Sequence, residues 1–151
     1  MINRIVAGCM AFCMLSITNG KAQTSPLSGT ASNFKQVSLR QFPATFDCNT
    51  AEIDRLFVLS GHVTSRISPA FTLNGEIIAK VSQDKEVQSL NIRLSDLVGA
   101  TATFSRIKMD NGTIRYTGYI LQLHDTEALI LKNENGRYFF IRESQKTVLA
   151  D

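Results

Sequence analysis

Three side chains outside the N-terminal segment have the types needed for nucleophilic or metal chemistry: Cys48, His62 and His124. A nucleophilic thiol needs a base within hydrogen-bond reach, so Cys48 with either histidine is the pairing to weigh. The surrounding run Phe46-Asp47-Cys48-Asn49 matches no local context of a cysteine protease. As ligands, one Cys and two His could fill three positions of a zinc site, but neither HxxxH nor CxxC spacing occurs. His62 follows Gly61 at a strand start and His124 sits in a turn beside Asp125, so both are expected to face solvent. Cys48 is expected to pack as a small buried residue, the commonest fate of a lone thiol.

The remaining chemistries leave no local signature. Asp110-Asn111-Gly112 and Asn133-Glu134-Asn135-Gly136 are rich in side-chain oxygen, but lack the long, regularly spaced acidic loop of a strong calcium site. Turn formation accounts for both. A carboxylate pair for glycoside hydrolysis would meet only in three dimensions, and the absence of tryptophan weakens a sugar-stacking platform. No glycine-rich phosphate loop and no GxSxG elbow is present. The sequence therefore assigns no catalytic, cofactor-binding or metal-binding residue, and no cofactor.

The N-terminal segment carries the clearest pattern. Met1-Ile2-Asn3-Arg4 supplies one positive charge, and Ile5 to Ile17 follows without a charged residue. Gly20-Lys21-Ala22 then places small residues three before and one before a cut at Ala22/Gln23, the layout of a secretory signal peptide. The apolar run is shorter than the ~20 residues of a spanning helix. Val6-Ala7-Gly8-Cys9 is similar to a lipid-attachment site, but only Ile5 and Val6 would precede it as apolar core. Residues 1–22 are thus expected to be a signal peptide, and the product to be exported from a bacterium to the periplasm or medium, with no stable membrane insertion after cleavage.

Removal of Arg4 and Lys21 with the signal brings the net charge from +3 to +1. No run of like charge remains, which argues against nucleic acid as a partner. Cys9 and Cys13 leave with the signal, so Cys48 has no internal disulfide partner and stability must come from the core. Residues 23–33 (QTSPLSGTASN) read as a flexible leader, and residues 34–151 as a single β domain.

Within that domain Lys35 to Phe42 alternates and predicts a first strand, ended by Pro43. Asn49 as cap and Glu52 three residues on form a capping box for a helix of about two turns whose apolar face is Ile53, Leu56 and Phe57. Strands follow at Gly61–Ile67 and Phe71–Val81. In the second, Phe71, Leu73, Ile77, Ala79 and Val81 share a face, and Asn74-Gly75 is read as a bend within the strand. Leu90 to Leu94 alternates next. Thr101–Met109 and Ile114–Leu123 should pair across a type I′ turn at Asn111-Gly112. The apolar face of the latter strand switches near Gly118, which predicts a β-bulge. Ala128–Lys132 and Arg137–Glu143 form another hairpin, and Thr147–Leu149 a short last strand.

Seven or eight strands with a turn every eight to twelve residues indicate an all-β fold, mainly antiparallel: a small β-barrel or β-sandwich with one short helix. Tyr138-Phe139-Phe140-Ile141 is apolar on both faces, as in a doubly buried strand or one whose outer face meets a partner. With Tyr116 and Tyr119 it could form an aromatic patch. The leading functional expectation is an exported, non-catalytic binding module for a protein or envelope component. One alternative is a small hydrophobic-ligand carrier, with a barrel pocket lined by residues such as Leu90, Ile92 and Leu121. The other is a small secreted enzyme with a non-local site.

Overall fold

A computed structural model of the chain describes residues 37–148 apart from residue 85, so the expected signal peptide and leader lie outside the described residues. The elements are β1 (Thr45–Asp47), α1 (Thr50–Leu56), β2 (His62–Ser68), β3 (Phe71–Gln83), β4 (Val87–Leu94), β5 (Ala100–Lys108), β6 (Ile114–Gln122), β7 (Glu127–Glu134), β8 (Arg137–Ser144) and α2 (Gln145–Val148). The eight strands make one antiparallel sheet in the order β1-β8-β7-β6-β5-β4-β3-β2. It curls into a half-barrel. The all-β, mainly antiparallel expectation with one short helix holds, in the barrel-like form and not as a two-sheet sandwich.

The inner face is filled. Phe104 and Phe140 are fully buried, with Leu73, Leu90, Ile92, Ile120 and Leu129 beside them. Phe46 stacks on Phe140 with ring centroids 5.3 Å apart, and Phe104 meets Phe140 edge-on at 6.4 Å. Asn49 caps α1 through a 3.1 Å bond from the Ala51 amide to its Oδ1, and Ile53 and Leu56 are buried beneath the helix. Glu52 does not close the expected capping box. The Asn49 amide that it would accept from donates instead to Ile67 O at 2.8 Å, which leaves Glu52 Oε2 to accept from the buried Ser65 hydroxyl at 2.8 Å.

Several sequence expectations change for identifiable reasons. Residues 37–42, the described part of the expected strand Lys35–Phe42, hold no strand: Leu39–Gln41 is one turn of 3-10 helix capped by Ser38, and β1 begins after Pro43. Its alternation reflects one buried anchor, Leu39, which is 0% exposed. Asn74-Gly75 does continue the strand, and a Cβ on Gly75 would run into the Arg93 carbonyl. The shared face of β3 ends sooner than expected. The register with β4 shifts between Ile77 and Ala79, so Lys80, not Val81, pairs with buried Leu90. Lys80 Nζ donates to the carbonyls of Phe57 and Leu59 just past α1, and Val81 is 60% exposed.

β6 has no bulge at Gly118. Its pairing with β5 is unbroken from Lys108↔Ile114 to Ala100↔Gln122. The inner face is the even-numbered one throughout, and Gly118 is small because Phe104 lies over it: a Cβ there would sit 2.5 Å from Phe104 Cδ1. The hairpin of Thr101–Met109 with Ile114–Leu123 forms, but its turn is not type I′. Gly112 N donates to Met109 O at 2.8 Å, and at the tip only Gly112 has positive φ, +80°. This is a type I turn followed by a left-handed glycine. The type I′ turn lies in the β7–β8 hairpin, where Asn135 (φ +51°) and Gly136 (φ +84°) join Glu134 to its partner Arg137. Thr147 and Val148, expected in a last strand, belong to the helical turn α2, and Leu149 lies outside the described residues.

Candidate functional site

The structure separates the residues that could have formed a Cys–His centre. Cys48 follows β1, where its amide donates to Tyr138 O at 3.0 Å beside the start of β8. His124 is exposed in the turn between β6 and β7, at φ +64°. The length of β7, eight residues at about 3.3 Å each, lies between these two ends of the sheet. His62 is exposed on β2 and its Nε2 lies 2.8 Å from Asn74 Oδ1. Cys48 is half-buried against the core, and burial pushes its thiol pKa up to about 12, the reverse of an activated nucleophile. Among the described residues no group of three or more His, Cys, Asp or Glu could hold a metal ion. The oxygen-rich turns use their own oxygens: Asn111 Oδ1 accepts from Thr113 N and Oγ1, and Asn133 Oδ1 from Gly136 N.

The three residues proposed to line a lipophilic pocket do not share one. Leu90 and Ile92 are in the packed interior at 1% and 0% exposure. Leu121 is on the opposite face of the sheet, because its neighbours Ile120 and Gln122 are the buried ones in β6.

A polar hollow of about 470 Å³ opens at one end of the sheet, lined by Ser38, Arg40, Gln122, Leu123, His124, Asp125 and Thr126. Apart from the exposed His124, its polar side chains are already engaged. Ser38 Oγ donates to Asp125 Oδ2 at 2.7 Å, Glu127 N to Asp125 Oδ1 at 3.2 Å, and Arg40 Nη2 to Thr126 Oγ1 at 2.8 Å. Burial works to raise the Asp125 pKa. The Ser38 hydroxyl, the amides of Glu127 and Thr126 and the Arg40 guanidinium outweigh it, so the carboxyl is held below its ordinary value. Arg142 Nε lies 3.3 Å from Glu127 Oε2, while Arg142 Nη1 donates to Arg40 O and Phe42 O. Gln122, 3% exposed, binds Val37 O and Val98 O through Nε2 and accepts from Leu39 N. This network fastens the segment before β1 to the end of the sheet. It is a structural tie with balanced charge.

The outer face of β6, β7 and β8 is different. Tyr119, Ile130 and Ile141 are direct cross-strand neighbours, and Leu121 and Phe139 flank that row. All five are half-buried; α1 packs into the core on the inner face through Ile53 and Leu56, and α2 meets the sheet at β7 and β8. The five side chains cover one another in part, as cross-strand pairs do. Around them stand Thr45, Thr101, Thr103, Thr117 and the Lys132–Glu143 ion pair at 3.5 Å. An apolar centre inside a polar rim is the anatomy of a protein-binding surface. The double-sided apolar run at Tyr138–Ile141 pointed to half of this patch: Phe140 is the inward residue, while Phe139 and Ile141 face out. Tyr119 also faces out, whereas Tyr116 and Tyr138 turn inward and meet edge-on at 5.9 Å.

No family model matches the chain, and neither the curated proteins nor the solved structures contain a significant match to it.

Proposed function

We propose that this chain is an exported, non-catalytic module that holds a protein partner in the cell envelope through the outer face of β6–β8. The observation that supports the reading is the contiguous, partly exposed apolar patch of Tyr119, Leu121, Ile130, Phe139 and Ile141 on the face of the sheet opposite the core. A patch of this kind, rimmed by polar side chains, is the usual mark of an interaction site. The tie-up of Cys48, His62, Asp125 and Glu127 in structural contacts favours binding over chemistry. Export rests on the layout of residues 1–22.

The test places a photo-crosslinking amino acid at Ile130 or Phe139 of the full chain in its native host, and at Thr64 on exposed β2 as control. The expected result is an adduct with one envelope protein from the patch positions and none from Thr64. Equal labelling at all three, or adducts only with a second copy of the chain, would overturn the reading. Mass analysis of the recovered N-terminus should give Gln23. An intact Met1 in a membrane fraction would refute export.

A further inference from the structure

We infer that Asn135 is a site of spontaneous amide loss through a cyclic imide, and that the fold protects the other two Asn-Gly pairs of the β domain. The chain has three in the β domain: Asn74-Gly75, Asn111-Gly112 and Asn135-Gly136. In each, the missing Cβ of glycine leaves its amide nitrogen open to attack the preceding side chain. The nitrogen of Gly136 bonds to Cγ of Asn135, the Cγ–Nδ2 bond breaks, and ammonia leaves with the proton that the glycine amide gives up. Water then opens the five-membered ring at either carbonyl, giving aspartate or its isomer linked through the side chain.

The reaction needs a free carboxamide and a releasable glycine amide, and the three sites differ in both. Asn74 lies within β3, its Nδ2 donates to Asp96 and its Oδ1 accepts from Thr64, and Gly75 is buried in the ladder. Asn111 Oδ1 is held by the Thr113 amide at 3.0 Å and hydroxyl at 2.6 Å, while Gly112 N donates to a backbone carbonyl at 2.8 Å. Asn135 is exposed and its carboxamide makes no hydrogen bond among the described residues. Gly136 N donates only to the side chain of exposed Asn133, at 3.2 Å. The isomerised product adds a backbone carbon to a two-residue turn that sets the Glu134↔Arg137 register, and it introduces a carboxylate one residue from Gly136 and two from Arg137.

The full chain is incubated at 37 °C and mildly alkaline pH, and the three Asn-Gly peptides are followed by mass spectrometry with heavy-oxygen water. Asn135 should convert first, ahead of Asn111 by about tenfold if opening the two Thr113 bonds costs about 1.4 kcal/mol. Asn74 should stay intact until the protein is unfolded, when all three should react at similar rates. Enzymatic methylation of isoaspartyl groups should label the peptide that carries residue 135 in the aged protein and not the same peptide of an aged Asn135→Ser variant. Faster loss at Asn111 or Asn74 in the native protein, or no loss at Asn135, would overturn the inference.

Discussion

The backbone amide of Tyr116 donates to the hydroxyl of Tyr138 at 3.1 Å, at the point where the ladder between β6 and β7 ends. The two strands pair only from Gly118↔Leu131 to Leu121↔Ala128. Two residues beyond Gly118↔Leu131 the same register would set Asn133 opposite Tyr116, but the strands part and the Tyr138 side chain reaches across the inner face of β7 instead. The hydroxyl of Tyr116 continues the chain of contacts, donating to Asp54 Oδ1 of α1 at 2.7 Å, where Arg106 Nε also lies at 3.1 Å. The opening between two strands is thereby closed by side chains that also fix the helix.

Replacing Tyr138 with Phe removes that acceptor and keeps the ring. The Tyr116 amide is then left without its partner in a half-buried position, and the expected loss is about 1–2 kcal/mol. Tyr116→Phe, which spares the amide bond, should retain slow exchange of the Tyr116 position's amide. An unchanged denaturation midpoint for Tyr138→Phe would show that water replaces the hydroxyl.

Stability should fall at alkaline pH through Tyr116 and Cys48. Burial first, and then the hydrogen bond and charge of Asp54, push the Tyr116 pKa up to about 12, against a partial opposing effect of Arg106. Burial alone pushes Cys48 up to about 12. Both folded-state values lie above the unfolded ones, so the neutral forms are favoured by folding. Their contribution is complete below the unfolded values, about 8.5 for Cys and about 10 for Tyr, and is lost as pH rises from there toward the folded values. Denaturation midpoints measured across that interval should decline less steeply in Tyr116→Phe and Cys48→Ala than in the parent. Identical slopes would refute the assignment.

Gly118→Ala should be destabilising although the site is on a regular strand. Its Cβ would lie 2.5 Å from Phe104 Cδ1 and 2.7 Å from Thr103 O, and Phe104 is fully buried. Overpacking of this kind costs about 1–3 kcal/mol. Phe104→Leu in the Gly118→Ala background should recover part of the loss, and a midpoint of the single variant equal to the parent's would show that the ring can move aside.

Gly118 also shows what was legible in the sequence. The alternation and the turn residues identified seven strands, the short helix and both Asn-Gly hairpins. They failed where a glycine or a polar residue took an inner position. Tyr119, Leu121 and Leu123 are more apolar than Gly118 and Gln122, so hydropathy alone turns the end of β6 inside out. The switch in the pattern was real, but it marked a packed phenylalanine and a buried amide instead of a bulge. The outer patch was legible in part: the apolar run Tyr138–Ile141 and Tyr119 pointed to it, while Leu121 was expected in an interior pocket and proves to face outward. Nothing local in Lys35–Phe42 tells an alternating strand from a turn anchored by Leu39, because the groups that bind it come from residues more than 80 positions away.

The two turn glycines should respond alike to a side chain, for one reason. Gly112 and Gly136 hold φ of +80° and +84°, and a Cβ at either would meet nothing within 4 Å. Gly112→Val and Gly136→Val therefore test backbone conformation without a clash, each with an expected cost of about 1–2 kcal/mol. A cost at one position only, read from equilibrium denaturation, would place the left-handed residue elsewhere in the silent turn.

Gln122 should prove more important than any apolar residue near it on β6. It is 3% exposed, and its amide makes three bonds: to Val37 O at 2.9 Å, to Val98 O at 3.1 Å and from Leu39 N at 3.2 Å. A Leu of similar size would satisfy none of them and would leave one amide and two carbonyls facing an apolar group. Each such group costs about 1–3 kcal/mol if it stays buried, so the segment before β1 should detach instead and expose Leu39. The predicted signature of Gln122→Leu is thus rapid hydrogen exchange at Leu39 and new protease cleavage between Val37 and Phe42, while amides in the β4–β5 ladder keep their protection. Gln122→Glu retains an acceptor for Leu39 N but loses both donations, and should fall between the two. If Leu39 exchanged as slowly in Gln122→Leu as in the parent, burial of the Leu39 side chain, and not the glutamine, would be what holds this end of the sheet closed.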